Sequence, residues 1–133
     1  MSGEREFELQ VTVQPADIDS LGHVNNVVYL RWMQQAAAAH WERAANAEVK
    51  AQVGWVVIRH EIDYKAPAFV GEQLVARTWV GEATAATWER FSEVRRTSDG
   101  KLLSRCRSVY VALDPLTGRP RRIDAALRAP LGG

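Results

Sequence analysis

In this chain of 133 residues, one long segment spaces its apolar side chains for a helix, and strand-like segments flank it on both sides. Tyr29, Trp32, Met33, Ala36, Ala37, His40 and Ala44 follow the three-and-four spacing of a single helix face. The middle of the segment, "QQAAAAHW", is rich in alanine, the strongest helix former, whose short side chain lets a backbone approach closely. A helix of this kind is built to lie tight against a sheet.

The flanking segments have the period of strands. Phe7, Leu9, Val11 and Val13 alternate with Glu8, Gln10 and Thr12. From Trp55 to Tyr64, the residues Val56, Ile58, Ile62 and Tyr64 are expected on one face, with His60 its polar exception and Arg59, Glu61 and Asp63 opposite. Pro67 and Gly71 break that run. Further strands are expected near 73–80, 85–96 and 102–113, the last two joined by an Asp99-Gly100 hairpin turn.

Short connections pair strands antiparallel, because a parallel crossover needs a dozen residues or more. Only the helical connection is that long. The expected fold is α+β: a five-stranded antiparallel sheet around one long central helix, with residues 1–133 forming a single domain. The terminal "ALRAPLGG" is expected to fray. Trp79 and Trp88 stand among arginines and glutamates and read as surface aromatics, best explained by an oligomer interface because open sheet edges invite pairing.

Composition narrows the function classes. Hydrophobic residues make up 47%, charged residues 25%, and the net charge is +1, which gives no sign of disorder or of a nucleic-acid-binding field. Cys106 is the lone cysteine, so neither an internal disulfide nor a thiolate metal cluster is expected. The charged "MSGEREFELQ" lacks the apolar core of a secretory signal, and no run approaches a membrane span. The expectation is a soluble cytoplasmic protein without metal or cofactor.

The chemistry concentrates just before the helix, in "DIDSLGHVNN". A glycine there permits a left-handed turn. Unpaired N–H groups at a helix start carry partial positive charge and can stabilise the oxyanion of acyl transfer. A carboxylate facing them can activate water or attack a carbonyl itself. A thioester suits such sparse equipment, since a thiol of pKa ~8.5 leaves without much help from an acid. Helix capping alone would account for one of these residues, but not for Asp17, Asp19, His23, Asn25 and Asn26 together.

The run Asp17-x-Asp19-x-x-Gly22-His23-Val24-Asn25-Asn26-x-x-Tyr29, followed by "WVVIRHEIDYKAPAFVGEQL", resembles the hotdog-fold thioesterases of the 4-hydroxybenzoyl-CoA thioesterase type. Plant acyl-ACP thioesterases carry a similar run. The resemblance extends from about Phe7 to Pro120. It implies hydrolysis of an acyl-CoA, or acyl-ACP, thioester with Asp19 as base or nucleophile and the Asn26 N–H polarising the carbonyl. Asp17 is then assigned to shaping the turn. His23 matches a histidine implicated in the plant-type enzymes, but Leu21 stands where those have an asparagine, which leaves Asp19 as the main actor.

Gly22, Asn25, Tyr29 and His60 complete the candidate substrate-binding set; packing is the first reading for Tyr29 and His60. Some members of the fold place a glutamate on the helix, but Glu42 lies too many turns from its start. Arg95 and Arg96, Arg105 and Arg107, and Arg119, Arg121 and Arg122 are candidates for coenzyme A phosphates, Arg95, Arg96, Arg119 and Arg121 foremost. The resemblance also implies a homodimer or homotetramer with active sites at the subunit interface. Two alternatives stay open: a hydratase or dehydratase of acyl thioesters, and a non-catalytic acyl-CoA-binding subunit. Against the former stands Leu21-Gly22, where those enzymes usually have Asn-Pro before the histidine.

Overall fold

The computed structural model describes residues 5–133. In chain order the elements are β1 (Glu6–Thr12), α1 (Asn26–Ala44), the single turn α2 (Ala47–Lys50), β2 (Gly54–Tyr64), β3 (Gln73–Ala83), β4 (Thr87–Arg96), β5 (Leu102–Leu113) and α3 (Ala125–Arg128). The strands form one antiparallel sheet in the order β1-β3-β4-β5-β2. Consecutive strands β1 and β2 therefore occupy opposite edges, and α1 carries the chain from one to the other across the sheet.

α1 starts where Asn25, in extended conformation, accepts a hydrogen bond from the Val27 N–H, and it stops at Ala45, after which Asn46 caps α2 in the same way. It buries Val28, Tyr29, Trp32, Met33, Ala36, Ala37 and His40. The spacing anticipates this face; Val28 joins it, and Ala44 is only half-buried at the helix end. α1 lies mainly over β3 and β1. Leu74, Ala76, Val94 and Leu103 on the sheet are fully buried beneath it.

Three expectations need correction. The C-terminal stretch does not fray: Asp124 caps α3, and Leu127 and Leu131 fill a second core with Val53, Trp88, Ala112 and Ile123. Trp88 is no surface aromatic, because it is buried in that core with its indole N–H donating to the Gly81 carbonyl at 3.1 Å. Only Trp79 keeps to the outer face, stacked on Phe91 with the Arg77 guanidinium over its ring.

The third correction concerns β2. A register shift between Val57 and Arg59 breaks its alternation, because one extra residue in a strand moves every later side chain to the other face. Ile62 and Trp55 pack inward on either side of the shift, while Val56 and Ile58 are exposed. Among the described residues, no helix is long and apolar enough to cross a membrane.

Candidate active site

The chain leaves β1 through a 3-10 turn, Pro15–Asp17. The Asp17 side chain is buried and accepts from the Gln14 N–H at 2.9 Å and from Arg31 Nη2 at 2.7 Å. Its carbonyl accepts from the Asn25 N–H at 2.9 Å. Asp17 thus binds the loop to the second turn of α1, and both of its carboxylate oxygens are occupied in doing so.

Asp19 is placed differently. Ile18 and Val24 form an isolated antiparallel bridge, and the next pair inward is Asp19 and His23, whose N–H and C=O bond at 3.0 Å. The loop closes through Gly22 N–H to the Asp19 carbonyl and Leu21 N–H to Asp19 Oδ1 at 2.9 Å. Gly22 makes this possible at φ 88°, a conformation that strains any residue bearing a Cβ. Asp19 Oδ2 has no partner among the described residues.

At the start of α1, the Val27 N–H bonds the Asn25 side chain and the Val28 N–H bonds the Asn25 carbonyl. Among the described residues, no hydrogen bond uses the Asn26 N–H. A helix start leaves such donors open and electropositive. The loop therefore presents an uncommitted carboxylate oxygen and the helix an uncommitted main-chain donor, a few residues apart.

A second wall comes from the segment between β2 and β3, read from the sequence only as a breaker. It runs along this end of the sheet and is sewn to the first loop: Val24 N–H bonds the Ala68 carbonyl, Gly71 N–H bonds the Val13 carbonyl, and Val13 N–H bonds the Glu72 carbonyl. The rings of His23 and Phe69 meet edge-on, with centroids 6.3 Å apart. The Tyr64 hydroxyl donates to the Asn26 carbonyl at 3.1 Å. Leu21, Val27, Tyr64, Phe69 and Val70 leave an exposed apolar rim around the helix start.

Tyr29 belongs to the core beneath this wall. Its ring meets Trp32 and Tyr64 edge-on, and its buried hydroxyl lies against the Ala68 main chain without a well-formed hydrogen bond; burial raises its pKa. His60 lies four residues from Tyr64 along β2, about 13 Å at strand rise, apart from the Asp19 loop. Its Nδ1 is 2.7 Å from Ser108 Oγ, and burial lowers its pKa. Cys106, 3.8 Å from the same nitrogen, is buried, and desolvation raises its thiol pKa, which removes the thiolate a nucleophile requires.

The arginines do not converge. Arg95 pairs with Glu93 on the sheet face turned away from α1. Arg96 is at the right end of the sheet, but it already pairs with Glu72 and Asp99 and donates to the Pro67 carbonyl. Arg121 donates to the Gln52 carbonyl and pairs with Asp124, and with Arg119 it lies beyond the far end of β5. The twelve residues of β5 span about 40 Å, so these two sit at the opposite end of the molecule from Asn26. Glu42 is an exposed partner of Lys50.

A family model described as the thioesterase-like superfamily matches residues 13–131. The chain belongs to this superfamily. It shares 20% identity over 130 residues with the long-chain acyl-CoA thioesterase FadM of Escherichia coli, covering 94% of this chain and 96% of that protein. A solved thioesterase from Thermus thermophilus, complexed with coenzyme A and Zn, is 26% identical with a TM-score of 0.83, covering 96% of this chain and 98% of that one. A 4-hydroxybenzoyl-CoA thioesterase mutant complexed with 4-hydroxybenzoyl-CoA is 17% identical with a TM-score of 0.85, covering 96% and 99%. The sheet and its helix are the hotdog fold of these enzymes, and the expected acyl-CoA thioesterase is borne out at the level of the family.

Proposed function

We propose that this thioesterase hydrolyses an acyl-CoA thioester at the loop before α1, with Asp19 as general base or nucleophile. The observation that carries this reading is the open Asn26 N–H at the helix start, within the same loop that leaves Asp19 Oδ2 unpartnered among the described residues. A thioester oxygen accepting from that N–H gains the partial positive charge of the helix end as negative charge develops on it. Asp19 then delivers water, or attacks, and coenzyme A leaves as a thiolate of low basicity. His23, whose carbonyl bonds the Asp19 N–H, holds the carboxylate's backbone in place.

In this reading the enzyme acts in the cytoplasm as a homodimer or homotetramer, each site completed by a partner subunit. The edge of β2 supports that assembly. Among the described residues it is unpaired, and it exposes Val56 and Ile58 where an edge strand safe from pairing would carry charge. The apolar rim around α1 is a second surface that a partner or the acyl chain would cover. Because Arg119 and Arg121 lie far from the Asn26 of their own chain, they serve coenzyme A phosphates only if a neighbouring subunit presents them.

A thiol-release assay over a panel of acyl-CoAs tests the reading. Asp19→Asn is expected to lower kcat by about a hundredfold or more with KM little changed. Equal turnover by wild type and Asp19→Asn would remove Asp19 from the chemistry.

A further inference from the structure

Far along α1 from the Asp19 loop, a cavity of about 670 Å³ opens between the helix, the inner face of the sheet and the C-terminal turn. Ala37 and Trp41 border it from α1, Trp55 and Trp88 from the sheet, with Arg90 and Tyr110 as its inner polar groups. Measured by helix rise, Ala37 and Trp41 lie about 16–22 Å beyond Asn26. The volume is that of a small-molecule site, and the walls are mainly apolar and aromatic, as such sites are.

Arg90 is the unusual member. Its side chain is only 6% exposed, yet it faces no carboxylate among the described residues. Nη1 donates to His40 Nδ1 at 3.0 Å and to Thr78 Oγ1 at 3.0 Å, both neutral acceptors. Guanidinium has no acceptor of its own, so His40 accepts through Nδ1 and carries its ring proton on Nε2. Nε and Nη2 bond no group among the described residues. The two glutamates on the cavity rim are committed elsewhere, Glu89 to Arg107 and the Glu82 N–H, and Glu42 to Lys50. Burial pushes the Arg90 pKa down to about 10, which still leaves it cationic at neutral pH.

A buried cation with no counter-charge among the described residues is costly, and natural proteins pair such groups or use them. Here the donors left over form half of a fork that fits a carboxylate side-on. We propose that this cavity binds a small molecule with an apolar body and a terminal carboxylate, the carboxylate on Arg90 and the body against Trp41, Trp55 and Trp88. Two sources share that chemistry: a free carboxylic acid, which thioester hydrolysis itself releases, and the distal carboxylate of an acyl group still attached to its carrier. The second source rests on the thioesterase reading; the binding itself does not.

Titration of the full chain with decanoate, decanol and decanamide, followed by calorimetry and by the fluorescence of the lining tryptophans, tests the binding. Decanoate is expected to bind about tenfold or more tightly than either neutral analogue, and Arg90→Gln is expected to erase the difference. Equal affinity for all three, no binding of decanoate, or a preference that survives Arg90→Gln would each overturn the proposal. Should Arg90→Gln fail to fold, the comparison of decanoate with decanamide on wild type decides alone. A second arm compares octadecanedioyl-CoA with octadecanoyl-CoA as substrates, since only an acyl group of that length reaches from Asn26 to Arg90 along α1. A higher kcat/KM for the diacid assigns the carboxylate to the acyl group, and equal values assign it to the free acid. Because the first arm reads binding and not turnover, its failure is distinct from a failure of thioester hydrolysis.

Discussion

The carboxylate of Asp17 lies 2.7 Å from the guanidinium of Arg31 and is buried, whereas Asp19, two residues on, makes one local bond to the Leu21 N–H. Two aspartates in the same loop have thereby been given separate work. Asp17 joins the loop to α1; Arg31 is half exposed and is solvated when the pair is lost, so removing the buried carboxylate costs its two charge-assisted hydrogen bonds, about 1–3 kcal/mol. Asp17→Ala is therefore expected to lower stability by that amount in urea unfolding. Asp19→Ala is expected to cost under about 1 kcal/mol while removing thioester turnover. Reversed effects would mean that the roles of the two residues have been exchanged.

The second core makes a similar division testable at the other end of the chain. Leu127 is fully buried against Trp88, Ala112 and Ile123, and α3 is only four residues long, so its place depends on that side chain. Leu127→Ala is expected to destabilise the protein by about 2–5 kcal/mol in urea unfolding. The indole of Trp88 should become accessible to an aqueous quencher in the variant. A loss within about 0.5 kcal/mol would show that the C-terminal turn contributes nothing to the core.

The sequence carried the strands, the helix face and the candidate loop, because each depends on local chemistry: period two, period 3.6, and a glycine between polar side chains. It did not carry features set by distant partners. Leu127 and Leu131 lie in too short a stretch to form a periodic pattern, and only the strands that Trp88 joins reveal where they pack. Ile58 alternates correctly with Val56 and His60, but the bulge that exposes it is a matter of pairing with β5. Pro67-Ala68-Phe69 read as a breaker, although Ala68 is the residue that the loop before α1 bonds to, and no spacing in the sequence joins residue 24 to residue 68. The same holds for the arginines, whose clustering in sequence is undone by the length of β5.

His60 gives the molecule a pH dependence of known sign. Burial beside Ser108 and Cys106 lowers its pKa below 6.5, so the folded state binds that proton less readily than the unfolded state does. Its contribution to stability is present above pH 6.5 and is lost as pH falls through the folded pKa. Glu89 and Asp99, held below their usual values by hydrogen bonds, add their losses only nearer pH 4 and below. On the alkaline side the raised thiol pKa of Cys106 acts in reverse: stability is full below 9.0 and falls above it. Urea unfolding across this range is expected to show both slopes, and His60→Gln should flatten the part of the acid limb that begins as pH falls below 6.5. An unchanged acid limb in that variant would remove His60 from the account.

The exposed edge of β2 is the remaining feature that a lone chain does not explain. Ile58 is 60% exposed on a strand whose outer hydrogen-bonding groups have no neighbour among the described residues, a combination that favours pairing with another chain. Ile58→Lys keeps the strand's own pairing with β5, since the bulged residue has no partner there, and places a charge where a second copy would approach. Sedimentation is expected to give a multiple of 14.9 kDa for wild type and a shift toward the single-chain mass for Ile58→Lys. Thioester turnover per chain should fall with the assembly if each site needs a partner, while the melting temperature of the isolated chain reports whether the strand itself is intact. A single-chain mass for wild type would remove the interface from the proposal and leave the Asp19 loop to act within one chain.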